Sequence, residues 1–323
     1  MKVVVIGATG HVGTYLVPRL VEEGHTVVAV TRGEKAPYHD AGIWRFVERV
    51  SCDRSAEDKA GTFGKRIAAL SPDVVVDMIC FNAESAARIV DALRGKVGHY
   101  IACGTIWVHG PSGIVPTTEA MPRRPFGEYG INKAAMEEWL LATARRDGFP
   151  ATIVHPGHIV GPGWVPLNPA GHFSPGVFST LALGGRLCLP NFGLETVHHV
   201  HADDVAQVFF RAIASRSAAI GESFHAVSPA AMTLRGYAER MARWFGREPN
   251  LAYLSWEEWK KTASPEEIAA TYDHIAHSPN CSIEKAQRLL GYSPRYGSFE
   301  AVCESVEWLV RNGIVRVPGT EGR

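Results

Sequence analysis

The 323-residue sequence carries no surplus of either charge, since 33 Lys and Arg balance 33 Asp and Glu. A neutral chain has no global field to draw in a polyanion, which argues against a nucleic-acid partner and for a small-molecule one. It has no Cys-x-x-Cys pair. Its six cysteines, Cys52, Cys80, Cys103, Cys188, Cys281 and Cys303, stand apart, as in a reduced protein of the cytoplasm with no disulfide framework. No apolar run approaches the ~20 residues of a membrane span, and the first such run is too short for a signal peptide. Neither a membrane partner nor export is expected. There is no internal repeat and no low-complexity segment, and only residues 318–323 read as a loose tail. What remains is core material. Hydrophobic residues make up 46% and charged ones 20% of the chain, enough for one large or two modest domains.

The most informative stretch is the N-terminus, Lys2-Val-Val-Val-Ile-Gly7-Ala-Thr-Gly10-His-Val-Gly13. A short apolar run enters three glycines and an amphipathic segment follows at once, which reads as buried strand, tight turn and helix start. That geometry presents exposed N–H groups to a pyrophosphate. Gly7 allows the sharp turn, Gly10 lets phosphate approach the backbone, and Gly13 lets the helix pack on the strand. The spacing is GxxGxxG, one residue longer than the commonest dinucleotide fingerprint.

Strands and helices then alternate. Apolar runs predict strands at Val3–Ile6, Thr26–Val30, Val74–Ile79, His99–Cys103 and Thr152–His155, with a weaker one at Arg45–Val50. Helical spacing covers His11–Glu23, Thr62–Leu70, Glu84–Leu93 and Tyr129–Arg146. The pattern implies an α/β fold with a Rossmann-type doubly wound parallel sheet, whose ligands sit beyond the strand carboxyl ends. After Pro156 the texture turns to Gly, Pro and Asn and then to helices. We expect a dinucleotide-binding domain over 1–160, rejoined by 198–216. A smaller, mainly helical C-terminal substrate domain takes 161–197 and 217–317. Trp244, Trp256, Trp259 and Trp308 recur at helical spacings, as core residues do.

Tyr129 and Lys133 are four apart, one turn apart on one helix face. They follow the fifth strand, which ends in Cys103-Gly104-Thr105. A phenol near pKa 10 is a poor base at pH 7, and a cation beside it lowers that value. Phenolate at Tyr129 would then take the proton of an alcohol.

These segments resemble the extended short-chain dehydrogenase/reductases, the NAD-dependent epimerase/dehydratase family. The likeness rests on the glycine turn, Asp53, Thr105-Ile-Trp-Val-His-Gly110, Tyr129-Gly-Ile-Asn-Lys133, His155-Pro-Gly-His-Ile-Val-Gly161-Pro and His201-Ala-Asp203-Asp204. It implies catalytic roles for Thr105, Tyr129 and Lys133, with the Thr105 hydroxyl bonded to the reacting oxygen and Lys133 holding the nicotinamide ribose. It places Gly7, Thr9, Gly10, His11, Val12, Gly13, Thr31, Arg32, Asp53, Met78, Ile79, Pro156, His158 and Ile159 around the cofactor, with Asp53 at the adenine. Trp107 and His109 flank the catalytic loop as candidate substrate contacts. A homodimer is also implied, through the helix after strand four and the Tyr129 helix.

The second strand ends in Thr31-Arg32-Gly33, with no acid there for a ribose 2′-hydroxyl. Arg32 offers a planar cation for a 2′-phosphate instead, so NADP is favoured, with NAD the alternative. The family's nucleotide-sugar enzymes carry an Arg shortly before the Asp-Asp pair to clamp a diphosphate. Here that stretch is Glu195-Thr-Val-His198-His199-Val-His201. We therefore expect a sugar or sugar-like polyhydroxylated substrate whose carbinol is oxidised, reduced or epimerised. The alternatives are a non-catalytic RNA-associated member and an NADP(H)-sensing one. No metal is expected: His198, His199 and His201 have no Cys or carboxylate at ligand spacing and read as hydrogen-bonded cleft residues. Asp203 and Asp204 read as a helix N-cap and a first-turn charge.

Overall fold

The computed structural model describes residues 1–39 and 42–318. The expected tail from 318 therefore lies, except for Pro318, outside the described residues.

Strands β1 (Lys2–Ile6), β2 (Thr26–Thr31), β3 (Glu48–Ser51), β4 (Val74–Asp77), β5 (His99–Cys103) and β6 (Ala151–Pro156) are the first six of the main sheet. Helices α1 (His11–Glu22), α2 (Arg54–Lys59), α3 (Phe63–Ala69), α4 (Ala83–Leu93) and α5 (Gly127–Asp147) alternate with them. The next elements are β7 (His158–Val160), α6 (Gly176–Ala182), β8 (Leu187–Pro190), β9 (Thr196–Val197), β10 (His199–His201), α7 (Ala202–Ala214), α8 (Arg216–Ala219) and β11 (Ser223–Ala226). Then follow β12 (Met232–Thr233), α9 (Leu234–Trp244), β13 (Leu251–Leu254), α10 (Trp256–Trp259), α11 (Pro265–His277), α12 (Glu284–Leu290) and α13 (Ser298–Arg311).

The main sheet runs β11-β6-β5-β4-β1-β2-β3, parallel throughout, so the order reverses between β1 and β4. The two-residue side-chain period splits β1 cleanly. Val3 and Val5 join one core with Leu16 and Leu20 of α1 and Phe209 of α7. Val4 and Ile6 join another with Ile89 and Val90 of α4 and Met136 and Leu140 of α5. A third core, with Phe178, Leu234, Tyr237, Trp259 and Val306, holds the cap built from α6, α9, α10 and α13. Trp244 departs from the core expectation, being 39% exposed.

The return to the sheet extends past residue 216, because β11 pairs with β6. The outer edge of β11 is closed by side chains: Glu119 accepts from the His225 N–H at 2.9 Å, and Lys285 donates to the Ser223 carbonyl at 2.8 Å. The opposite edge is β3, Glu-Arg-Val-Ser, short and mostly exposed.

Asp203 and Asp204 lie in the first turn of α7, but the N-cap is His201, whose Nδ1 accepts from the Asp203 N–H at 3.1 Å. Asp203 joins Arg19 of α1 (2.6 Å) to Arg295 (3.1 Å). Asp204 accepts from the backbone of Arg295 and Tyr296, and burial pushes its carboxyl up to about 6.

Candidate active site

Beyond the carboxyl ends of β1 and β2 lies a cavity of about 530 Å³. Of the expected cofactor residues, Gly7, Thr9, Gly10, Thr31, Arg32, Asp53 and Ile79 line it, together with Glu34, Lys35, Tyr38, Phe81 and Trp164. Gly7 has φ of +84°, and its N–H bonds the Val30 carbonyl at 2.9 Å. A Cβ at Gly7 would come within 3.2 Å of Met78 and Ile79. A Cβ at Gly13 would fall 2.2 Å from the Ala8 carbonyl oxygen, so α1 can pack on the turn only with glycine there. Gly10 precedes α1 without a side-chain cap, which leaves the leading N–H groups of the helix open at the cavity wall. The turn thus fits a dinucleotide pyrophosphate. Val12 is buried in the core. The His11 ring stacks on Trp164 at 4.9 Å, and burial pushes its imidazole down to about 3.

Arg32 is 60% exposed and 3.3 Å from Glu34, a weak surface pair that leaves the guanidinium available. Lys35 adds a second cation to that wall. Asp53 caps α2 by accepting from the Ala56 N–H at 3.0 Å. Next to it, buried Arg54 pairs with Asp77 and Asp58 and covers the Phe63 ring at 4.9 Å.

Lys133 is buried, and its Nζ lies 2.7 Å from the carbonyl oxygens of both Cys80 and Cys103. The ammonium thus ties α5 to the segments after β4 and at the end of β5. Tyr129, one turn earlier, is 46% exposed as a whole residue. Burial pushes its phenol up to about 12, the Cys103 thiol adds to the shift, and the facing Thr105 hydroxyl opposes it. The sequence led us to expect a phenol lowered by Lys133. The two carbonyls hold that ammonium instead, and it sits 5.9 Å from the Tyr129 ring centre. Thr105 also caps the 3-10 turn Ile106–His109, accepting from the Trp107 N–H at 3.3 Å.

That turn sends its two candidate substrate residues in different directions. Trp107 stands edge-on to Tyr129 at 6.0 Å and stacks on His277 at 4.2 Å. His109 corrects the expectation of a substrate contact. In a turn of three residues per cycle, a residue two positions on faces elsewhere, and His109 points into the interior, 6% exposed, with its Nε2 2.8 Å from His225 Nε2. Pro156 ends β6. His158 opens β7 and gives its N–H to the His198 carbonyl at 2.8 Å, so that amide is already committed. Ile159 pairs with Val200 across the β7–β10 ribbon.

His198, His199 and His201 do not converge. His198 Nε2 meets the Ser228 carbonyl (2.9 Å), His199 Nε2 meets the Leu167 carbonyl (3.0 Å), and His201 Nε2 meets Glu304 (3.1 Å). Sequence reasoning missed the cap's contribution. His274 and His277, three apart near the end of α11, pack on Trp107. Phe126 stacks on His277 at 4.0 Å, and Phe173 stands edge-on to His274 at 5.4 Å. Their i, i+3 spacing was the available signal. Of the second-half arginines available to replace a diphosphate clamp, Arg235 pairs with Glu239, Arg240 with Glu300 and Arg295 with Asp203, all with exposed guanidinium groups, and Arg186 has no ion pair among the described residues.

The family model for the NAD dependent epimerase/dehydratase family matches residues 3–226. The chain is 28% identical over 319 residues to a 2′-dehydrokanamycin reductase of Streptomyces kanamyceticus, covering 98% of this chain and 86% of that one. It is 26% identical over 315 residues to a chloroplast stem-loop binding protein of 41 kDa from Arabidopsis thaliana, covering 94% and 78%. Its fold matches dTDP-glucose 4,6-dehydratase of Bacillus anthracis, solved with NAD, at a TM-score of 0.75 and 16% identity over 97% of both chains. With its parallel seven-stranded sheet and glycine turn, the chain belongs to the NAD dependent epimerase/dehydratase family and is one of its enzymes.

Proposed function

We propose that this enzyme oxidises, reduces or epimerises a carbinol centre of a sugar-like polyhydroxylated molecule that carries no nucleotide diphosphate, with NADP preferred over NAD. The observation behind it is the grouping of Thr105, Tyr129 and Lys133 against an aromatic wall, Trp107, Phe126 and His277, with no arginine in the stretch 195–201 that precedes Asp203 and Asp204. Aromatic faces suit the C–H faces of a sugar ring, and a few polar groups then fix its orientation.

Gly7, Gly10 and the start of α1 would hold the pyrophosphate, Asp53 the adenine end, and Arg32 with Lys35 a 2′-phosphate. Bound nicotinamide would supply the hydride chemistry. Thr105 donates a hydrogen bond to the reacting oxygen. Tyr129 passes a proton to or from that oxygen. With its phenol near 12, Tyr129 is protonated at neutral pH, the form needed to donate to a carbonyl in the direction of reduction. Lys133 fixes the floor beneath both. A homodimer through α4 and α5 is part of this reading.

The test is turnover on a panel of keto and hydroxy sugars, with and without nucleotide, by the native enzyme and Tyr129→Phe. Loss of about 100-fold or more in kcat with cofactor affinity unchanged is expected. Full activity in the variant would remove Tyr129 from the mechanism, and turnover restricted to nucleotide sugars would overturn the substrate class.

A further inference from the structure

Beneath the Tyr129 side of the site, three histidines from three separate segments meet. His109 ends the 3-10 turn after Thr105, His155 lies near the end of β6, and His225 stands beside it in register on β11. One ring nitrogen of each lies within 4.8 Å of the other two, and all three side chains are buried.

Their partners dictate which nitrogens carry protons. His225 Nδ1 is 3.0 Å from the Ser282 carbonyl oxygen, which can only accept, so Nε2 is the bare nitrogen. His155 Nε2 is 2.6 Å from the Glu137 carboxylate, which also pairs with Arg123. Nε2 is therefore the donor and Nδ1 holds the lone pair, with no partner in the structure. His109 Nε2 faces the bare His225 Nε2 at 2.8 Å and supplies the shared proton.

His155 and His225, whose outer nitrogens donate to a carboxylate and a carbonyl while the inner ones face the cluster, have the architecture of a divalent-metal site; the outer nitrogen of His109 has no partner among the described residues. We propose that His109, His155 and His225 bind a late first-row divalent cation, with Zn²⁺ the best match, in a site that clamps the Thr105 loop to β6 and β11. His109 ligates through Nε2 after moving its proton to Nδ1, so no net proton is released. Tetrahedral Zn–N bonds of about 2.0–2.1 Å set the nitrogens about 3.4 Å apart, within reach of small side-chain rotations from the present spacing. A fourth position is left for water or an anion. Glu119, Arg123 and Ser282, which back the cluster, also line a surface cavity of about 560 Å³. Glu137 lies one turn beyond Lys133, so the clamp would bear on the catalytic helix as well.

The test uses the full chain, stripped with chelator, incubated with Zn²⁺ or Co²⁺ and desalted. One retained equivalent per chain is expected, with a visible d–d band for Co²⁺ and a rise in Tm of roughly 5 °C at about 100-fold excess over Kd. His225→Gln and His109→Gln should each lose the retained equivalent. Should either variant fail to fold, X-ray absorption at the zinc edge of the native protein decides, with three imidazoles expected. No retained metal, retention undiminished in both variants, or a spectrum without imidazole ligands would overturn the proposal.

Discussion

Lys133 and Cys103 are joined by a hydrogen bond of 2.7 Å from the ammonium to the main-chain oxygen two residues before Thr105. The lysine therefore sets the height of the Thr105 loop as well as the charge beneath it. Lys133→Met keeps the length of the side chain and removes the charge. It should lower kcat by about 100-fold or more and cost about 1–3 kcal/mol of stability, because two buried carbonyls lose their donor. Steady-state kinetics and a urea titration check both. An active variant of native stability would contradict the assigned role.

Arg32→Ala removes the cation proposed for a 2′-phosphate. Loss of a charge-assisted hydrogen bond of about 1.5–3 kcal/mol predicts a 10- to 100-fold weaker Kd for NADPH, with NADH binding nearly unchanged. Fluorescence titration with both cofactors reads the ratio, and an unchanged ratio would remove Arg32 from cofactor selection.

Gly13→Ala would drive a Cβ to 2.2 Å from the Ala8 carbonyl oxygen. Backbone must shift, so a loss of about 1–3 kcal/mol is expected together with weaker cofactor binding. A denaturation midpoint equal to that of the native protein would show that the turn has slack.

Acid should unfold this protein early. Burial holds His11, His109 and His199 down to about 3 and His99, His198 and His274 down to about 4, against 6.5 for a free histidine. Their folded pKa values are depressed, so the unfolded chain binds more protons below pH 6.5. Stability is complete above that pH and falls as pH drops toward 4, by up to roughly 1.4 kcal/mol per pH unit for each histidine. Circular dichroism against pH should show a steep cooperative loss of structure above pH 4.5. A fold intact at pH 4 would mean that keeping these rings uncharged costs the folded protein less than their burial implies.

The sheet was legible where its strands are continuous apolar runs, and β5 falls where the sequence placed it. β11 was not legible: Ser-Phe-His-Ala is four residues long and half polar, and it is a strand only because β6 lies beside it. α2, Arg-Ser-Ala-Glu-Asp-Lys, has no apolar stripe to mark a helix. The expected strand Arg45–Val50 became a 3-10 turn over Ile43–Phe46 followed by β3, a course that buries Trp44. In the site, Tyr129, Lys133 and the glycine turn are local patterns and could be read directly. The meeting of His109 with His225 spans 116 positions and exists only once the sheet has formed.

The two borders of the main sheet differ from its interior in what they offer a neighbouring polypeptide. At β11 the outward N–H of His225 and carbonyl of Ser223 are taken by Glu119 and Lys285. At β3 the border is four residues long and opens with a Glu and an Arg. Neither is a template for strand addition. Extension of the main sheet by a neighbouring strand is thereby disfavoured at both ends. The strands inside these borders are among the most β-prone sequence in the chain, so the covered and short edges keep that material out of reach of another polypeptide.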